Sequence, residues 1–537
     1  AEQHVGNGIV LHMRVIKKDG RILEPEPVEG KPTLTMPHLE VGDYIETERI
    51  ESFAADDGAP GERYLGPRWY FREENVAYAR SEFVILSPKN RKLSIETRNE
   101  VPPPVIEERG GLVVRRFRVD HSPAAPVEPF GAPIAEFLPS VQVGWGISLE
   151  RTVEAMADAA FDPTPNDPRV VRIAESIVRG VPETERAERA RRLYRWLVNN
   201  VEEGPESDGR RVILGRNGNL WRGYIALCRA LSIPVSYAVA QSRLTLPPSG
   251  PLSEATLFSM PLLRVGTEKG PIWLTLGGKH LPFGYVPAEA RGMPGRVFTD
   301  DTVEQVVIPA DGAVDRVVYR ANLRLEPDGA AEVELEHVLY GRYAAGLRGA
   351  LSELSEQRLR DVIESRLVGH ALRGARLLDH TVLHLNAPEQ PLVVRTRSRV
   401  PAFAHVAGGV LLVPPPFAPR IGQLAALPER HTPLLLVEST HQEVEVRITL
   451  PPGAKVQGAP TRAELRDGER QVVIGDRVEN GQLVLERRVL LPAGRIQTAA
   501  YPAFLTFARQ ADEALSATVR IRLPDRNATA RHTPAPN

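Results

Sequence analysis

Along the first 147 residues, apolar and polar positions alternate in short runs broken by Gly, Pro, Asp and Asn, the period of half-buried strands. VLHMRVIKKDGRIL alternates on both sides of Asp19-Gly20, a pair suited to a hairpin turn. The same pattern continues in GDYIETERIESF, SEFVILSPKNRKLSIETRNE and GLVVRRFRVD, while EVPPPV and HSPAAPVEPFGAP read as loops. An antiparallel, sandwich-like β domain is expected over residues 1–147.

The period changes near Ser148. In NDPRVVRIAESIVRG, Asp167 suits an N-cap and Pro168 the first helical position. In PETERAERARRLYRWLVNNV, Ala187, Ala190, Leu193, Leu197 and Val201 fall on one helical face with charge opposite. A helix starting near Leu220 must stop before Pro234, because the residue ahead of proline avoids helical angles. Val235, Tyr237 and Val239 then alternate as a strand, and MPLLRV and PIWLTL form a hairpin around GTEKG. This α+β region is expected over 148–310. From about 311 the β pattern returns, interrupted by one helix at SELSEQRLRDVIESRLVGHAL, and a β-rich domain is expected over 311–524. DRNATARHTPAPN, residues 525–537, reads as a disordered tail. The expected fold class is multidomain α+β.

Composition narrows the function classes. Across 537 residues, 42% hydrophobic and 25% charged is ordinary for a globular protein with real cores. Lys plus Arg total 67 against 68 Asp plus Glu, which gives no electrostatic footprint for nucleic acid. No apolar run approaches the length of a membrane-spanning helix. The start AEQHVGNG, without an initiator Met, is expected to mark a mature or excised form. One cysteine, Cys228, excludes an internal disulfide.

The stretch GRNGNLWRGYIALCRALSIPVSYAV reads as a glycine-rich turn, a helix and a buried strand, the way thiol enzymes mount a nucleophile at a helix start. Together with LYRWLVNNV, NGNLWRGYIALCRALSIP, VSYAV and FSMPLLRV…PIWLTL, it resembles the bacterial transglutaminase-like superfamily, whose core is related to papain. IKKDGRI with LEVGDYIETE, and later LPERHTPLLLVESTHQEVEVRITLPPGAKV, resemble the N-terminal and C-terminal β domains of one subgroup of that superfamily. The resemblance covers most of the chain and implies a papain-like core between two β domains. It also implies a cysteine at the helix start, a histidine on the next strand and an aspartate on the following one. Those positions fall here on Leu220, Met260 and Thr275. Leucine offers no nucleophile, a thioether cannot carry a proton at neutral pH, and threonine supplies no charge to an imidazolium. Activity is therefore not expected. Leu220 and Met260 are expected to touch and to leave a plugged or shallow cleft, with Met260 and Thr275 opposite to within one residue of register across the hairpin. The candidate binding cleft is Asn219, Leu220, Trp221, Met260 and Thr275.

Other candidates have plainer readings. Cys228 lies two helical turns beyond Leu220, in line with Tyr224 and Leu231, and reads as core. His280 in GGKHLPFG, a conceivable base for it, reads as a turn residue. His380 and His384 lie on an extended segment, about 13 Å apart at roughly 3.3 Å per residue, too far to share an ion. HExxH pairs and cysteine clusters are missing, so no metal or cofactor is expected. LGRNGNLWRG lacks the lysine and hydroxyl of a phosphate loop, and the Arg-rich runs carry acids at helical spacing as solvated faces do. Two classes follow. The first is a non-catalytic scaffold of the bacterial cell envelope, periplasmic or extracellular, that binds envelope proteins or a peptide. The second is a cysteine peptidase, amidase or transglutaminase that uses Cys228 in an altered register.

Overall fold

The computed structural model describes residues 2–4, 9–27, 33–36, 38–51, 63–160, 166–299, 302–310 and 315–524; the expected tail at 525–537 lies outside them. One unit comprises Ala1–Gly66 with Gly144–Ile147, and the other Pro67–Val143 with Ser148–Asn537.

In the first unit the Asp19-Gly20 turn closes a hairpin that pairs Val15 with Leu23 and Ile16 with Ile22. Gly20 has φ +85° and its N–H donates to the Lys17 carbonyl at 2.9 Å. The Asp19 carboxylate accepts from the Arg21 N–H at 3.0 Å, which fixes the turn locally. Strand Ile9–Ile16 also pairs with Tyr44–Ile50, and its alternation turns Met13 and Val15 inward against Met36.

The second unit begins with a three-stranded antiparallel sheet, in which Leu112–Ser122 lies between Val105–Arg109 and Tyr78–Pro88. Phe71, Ile85, Phe117 and Val141 form a small core there. The buried Glu96 carboxylate ties this region to the next. It accepts from Arg68 at 2.9 Å, the Ser249 hydroxyl at 3.0 Å and the Ser253 N–H at 2.9 Å. A buried carboxylate is stable only with such partners.

Helices Pro168–Ile177, Arg186–Asn200, Gly209–Gly215 and Leu220–Ala230 follow. Asp167 caps the first of them, its side chain accepting the Arg169 N–H at 2.8 Å with Pro168 in the first turn. Their apolar faces, with Ala190, Leu193, Leu197, Tyr224, Leu227 and Cys228, pack on Leu263, Val265 and Leu274 of a five-stranded antiparallel sheet. The strand order is Gly270–Leu274, Phe258–Thr267, Val235–Gln241, Pro294–Phe298, Val303–Val307. The sheet's other face carries a separate cluster, with Ala238, Ala240, Leu262, Trp273 and Val286.

The remainder is β-rich. Nine strands form one sheet in which Val317–Leu325 pairs antiparallel with Ala331–Leu339 and parallel with Thr440–Thr449. The expectation of one helix here is too few. Glu356–Val362 continues through a π turn at Ile363–Val368, but Gly341–Leu351 and Tyr501–Leu515 are helices as well. Tyr501, Phe504, Leu505, Ala508, Ala511 and Leu515 of the last one are buried at helical spacing against Leu434, Val472 and Val489. That spacing is the stripe of an amphipathic helix, with Arg509, Gln510 and Glu513 exposed on the other side.

Candidate functional site

Gly218 sets the entry to the Leu220 helix. Its φ is +139°, and a Cβ there would stand 2.6 Å from Val212 Cγ2 and 2.7 Å from the Glu206 carbonyl, so only glycine fits. The Asn219 N–H donates to that same Glu206 carbonyl at 2.8 Å, and the Asn219 side chain accepts the Arg222 N–H at 3.2 Å. Asn219 is thus the N-cap and Leu220 the first helical residue, where the free N–H groups and the helix dipole favour an anion. Leu220 presents none.

Leu220 fronts a cleft of about 340 Å³ lined by Glu203, Asn219, Leu220, Trp221, Tyr237, Pro261, Leu262, Leu263, Leu274, Thr275, Leu276 and Gly277. Its floor is stiff: Trp221 stacks on Tyr237 at 4.3 Å between centroids, and Tyr237 on Phe298 at 5.8 Å. The Arg222 guanidinium lies over Trp221 at 4.3 Å. Burial raises the Tyr237 hydroxyl, with Arg222 pulling the other way.

Four of the five expected cleft residues meet here: Asn219, Leu220, Trp221 and Thr275. Met260 does not. The hairpin turns over two residues, Glu268 and Lys269, pairing Thr267 with Gly270 and Leu263 with Leu274. On that register Thr275 falls level with Leu262, two residues from Met260. Met260 pairs with Ala240 and packs with the cluster on the far face, whereas Leu220 packs with Leu263, Val265 and Leu274. Successive strand residues point to opposite faces, so the neighbour of Met260 takes the cleft position. That residue is the exposed Pro261. The expected Leu220–Met260 plug is therefore not formed, and the cleft is open.

Cys228 is fully buried, and burial pushes its thiol up to about 12. Its neighbour Tyr224, also fully buried, donates its hydroxyl to the Ala190 carbonyl at 2.9 Å. Such a thiol is neither accessible nor ionised near neutrality. His280 lies in a second cleft of about 450 Å³ with Thr275, Gly277, Gly278, Lys279, Leu281, Tyr285, Pro287, Arg342 and Ala345. Its imidazole is held below its ordinary range by burial and by the charges of Lys279, Arg348 and Arg195. His380 sits in strand Arg376–Leu383, while His384 follows it at φ 62° with Nδ1 2.9 Å from the Pro391 carbonyl.

Sequence reasoning missed Pro261, Glu203 and Tyr237 in the first cleft, and Lys279, Tyr285 and Arg342 in the second. Pro261 was reachable by alternation, since it lies two residues from Leu263 on the side of the strand that faces the helices. Arg342 carried no local signal, because it reaches the cleft from a helix in a different region of the chain.

No family model matches the chain, and no curated protein sequence matches it. Among solved structures it is similar to the crystal structure of a "putative protease" from Parabacteroides distasonis ATCC 8503, with 11% identity and a TM-score of 0.58, covering 96% of this chain and 89% of that one. At that identity the likeness is one of fold, extending over nearly the whole multidomain α+β chain. No helix among the described residues is long and apolar enough to cross a membrane.

Proposed function

We propose that this chain is a non-catalytic member of the transglutaminase-like superfamily, a peptide- or protein-binding scaffold of the bacterial cell envelope. The observation that carries the reading is Leu220. The helix start that would hold a thiolate presents an isobutyl group to an open cleft, beside Pro261 and Thr275. Neither of these is a base at neutral pH. The sulfur that the alternative enzyme would need, on Cys228, is sealed in the core and held protonated. The fold likeness to a structure described as a "putative protease" fits a core built for acyl chemistry, and the envelope location follows from the superfamily resemblance.

An open, aromatic-floored cleft without chemistry is suited to holding an extended segment. Iodoacetamide labelling followed by mass spectrometry tests the reading, alongside amidase and amine-transfer assays on the intact protein. The expected result is no modification of Cys228 until denaturant is added and no turnover above buffer. Rapid native labelling that abolishes a measured turnover would establish the cysteine enzyme instead.

A further inference from the structure

The Leu220 cleft and the His280 cleft share two lining residues, Thr275 and Gly277. A Cβ placed on Gly277 would have Leu281 Cδ1 at 3.4 Å and Thr275 Cγ2 at 3.7 Å as its nearest neighbours, both ordinary contacts, and one on Gly278 would meet nothing within 4 Å. The two clefts therefore adjoin at a stretch where two adjacent residues lack side chains, and are taken together as one groove.

Those halves differ in character. Charged lining in the first is Glu203 alone, and its wall is Leu220, Trp221, Pro261, Leu263 and Leu274. In the second the charged or ionisable lining is Lys279, His280, Tyr285 and Arg342, with no carboxylate among its lining residues; the buried Asp315 lies behind them, accepting from the Tyr285 hydroxyl at 3.1 Å and the Arg342 backbone N–H at 2.8 Å. The partners of these cations lie outside the groove. Lys279 Nζ is 3.9 Å from Glu353, with both side chains about half exposed or more (49% and 84%), and Arg342 pairs with Glu438 at 2.5 Å with 43% and 47% exposed. Exposed pairs of this kind contribute little, so both cations can turn to a bound anion.

The loop that carries Lys279 and His280 is fixed from behind. Arg195 donates to the Lys279 carbonyl at 2.9 Å and the Leu281 carbonyl at 2.5 Å while pairing with Glu389 at 2.6 Å. Such preorganisation lowers the ordering cost of binding. The Thr275 N–H already donates to the Tyr285 carbonyl at 2.9 Å, so the shared wall is not a free strand edge at the junction. Recognition there falls to apolar side chains and to a charged chain end.

We infer that the groove takes the C-terminal end of an extended peptide, apolar side chains over Leu220, Trp221 and Pro261, and the terminal carboxylate between Lys279 and Arg342. This inference rests on the peptide-binding reading above and gives it a direction and a terminus.

The test uses the full chain and fluorescein-labelled pentapeptide pools randomised over Ala, Val, Leu and Phe, one pool with a free carboxylate and one amidated. Fluorescence polarisation should show the free-acid pool binding roughly threefold to tenfold tighter, the scale of two partly exposed charge contacts. Lys279→Ala with Arg342→Ala should bring the acid pool to the amide level. Gly277→Trp, whose Cβ is tolerated, should close the junction and weaken the acid pool by a similar factor with an unchanged melting profile. Equal binding of acid and amide, abolished by Gly277→Trp, overturns the carboxylate assignment and leaves peptide binding standing. Binding of the acid pool that ignores both variants overturns the groove. No binding of either pool overturns this inference and the peptide reading together.

Discussion

His337 makes the stability of the C-terminal sheet depend on pH, and the size of the effect follows from its surroundings. It lies on strand Ala331–Leu339, is 7% exposed, and stacks on Tyr319 at 4.4 Å, which in turn stacks on Phe417 at 4.7 Å. Its Nε2 is buried without a hydrogen-bond partner, and burial pushes the imidazole down from an ordinary 6.5 to about 4. Folding therefore favours the neutral ring. Between pH 6.5 and 4 the unfolded chain binds a proton that the folded chain refuses. The contribution is complete above 6.5 and is lost as pH falls through 4. Two to three pKa units correspond to about 3 kcal/mol. His337→Phe keeps a planar ring against Tyr319 and removes the titration. Urea unfolding of the two proteins at pH 7.5 and pH 4.5 isolates the effect, because every other titrating group is common to both. The wild type should lose about 2–3 kcal/mol more than the variant on acidification. Parallel losses would mean that the ring is solvated or paired, and the reasoning would fail.

The face assignment at the cleft is open to a direct check. With Leu220→Cys in place, adding Pro261→His should raise the thiolate absorbance near neutral pH, whereas adding Met260→His should not, since residue 260 faces the other cluster. The same signal in both double variants would refute the register. Asp476 and Arg487 form a fully buried pair at 2.7 Å in which burial raises the acid and lowers the base, so the pair is dominated by desolvation. Asp476→Ala alone should cost about 3–5 kcal/mol in urea unfolding, and Asp476→Leu with Arg487→Met much less; equal costs would show that the pair is net stabilising. Tyr224→Phe removes a buried hydroxyl donated to Ala190 and should cost about 1 kcal/mol by thermal melting, while leaving Cys228 unlabelled in the native state. Rapid native labelling of that variant would show that the thiol is held shut by one hydrogen bond rather than by packing.

What the chain determined by itself is local and periodic. Asp19-Gly20, Asp167-Pro168 and Gly218-Asn219 each specify a turn or a cap through bonds spanning a few residues, and each lies where its chemistry requires. The helix beginning at Leu220 was legible for the same reason, and the lack of a nucleophile there is a property of sequence alone. The Tyr501 helix was not recovered although its sequence carries the same kind of signal, apolar residues at helical spacing with Arg509, Gln510 and Glu513 between them.

The face of Met260 depended on which side of its strand packs under the helices. Leu263 and Val265 do, so alternation puts Pro261 on their side and Met260 and Leu262 on the other. The second cleft lay beyond any local reading, since it joins a loop at 277–281 to Arg342 on the helix Gly341–Leu351. Capping and turn formation are governed by neighbours in the chain, whereas a groove is governed by which distant surfaces pack together. That packing is decided by the burial of whole faces, which no short stretch of sequence contains.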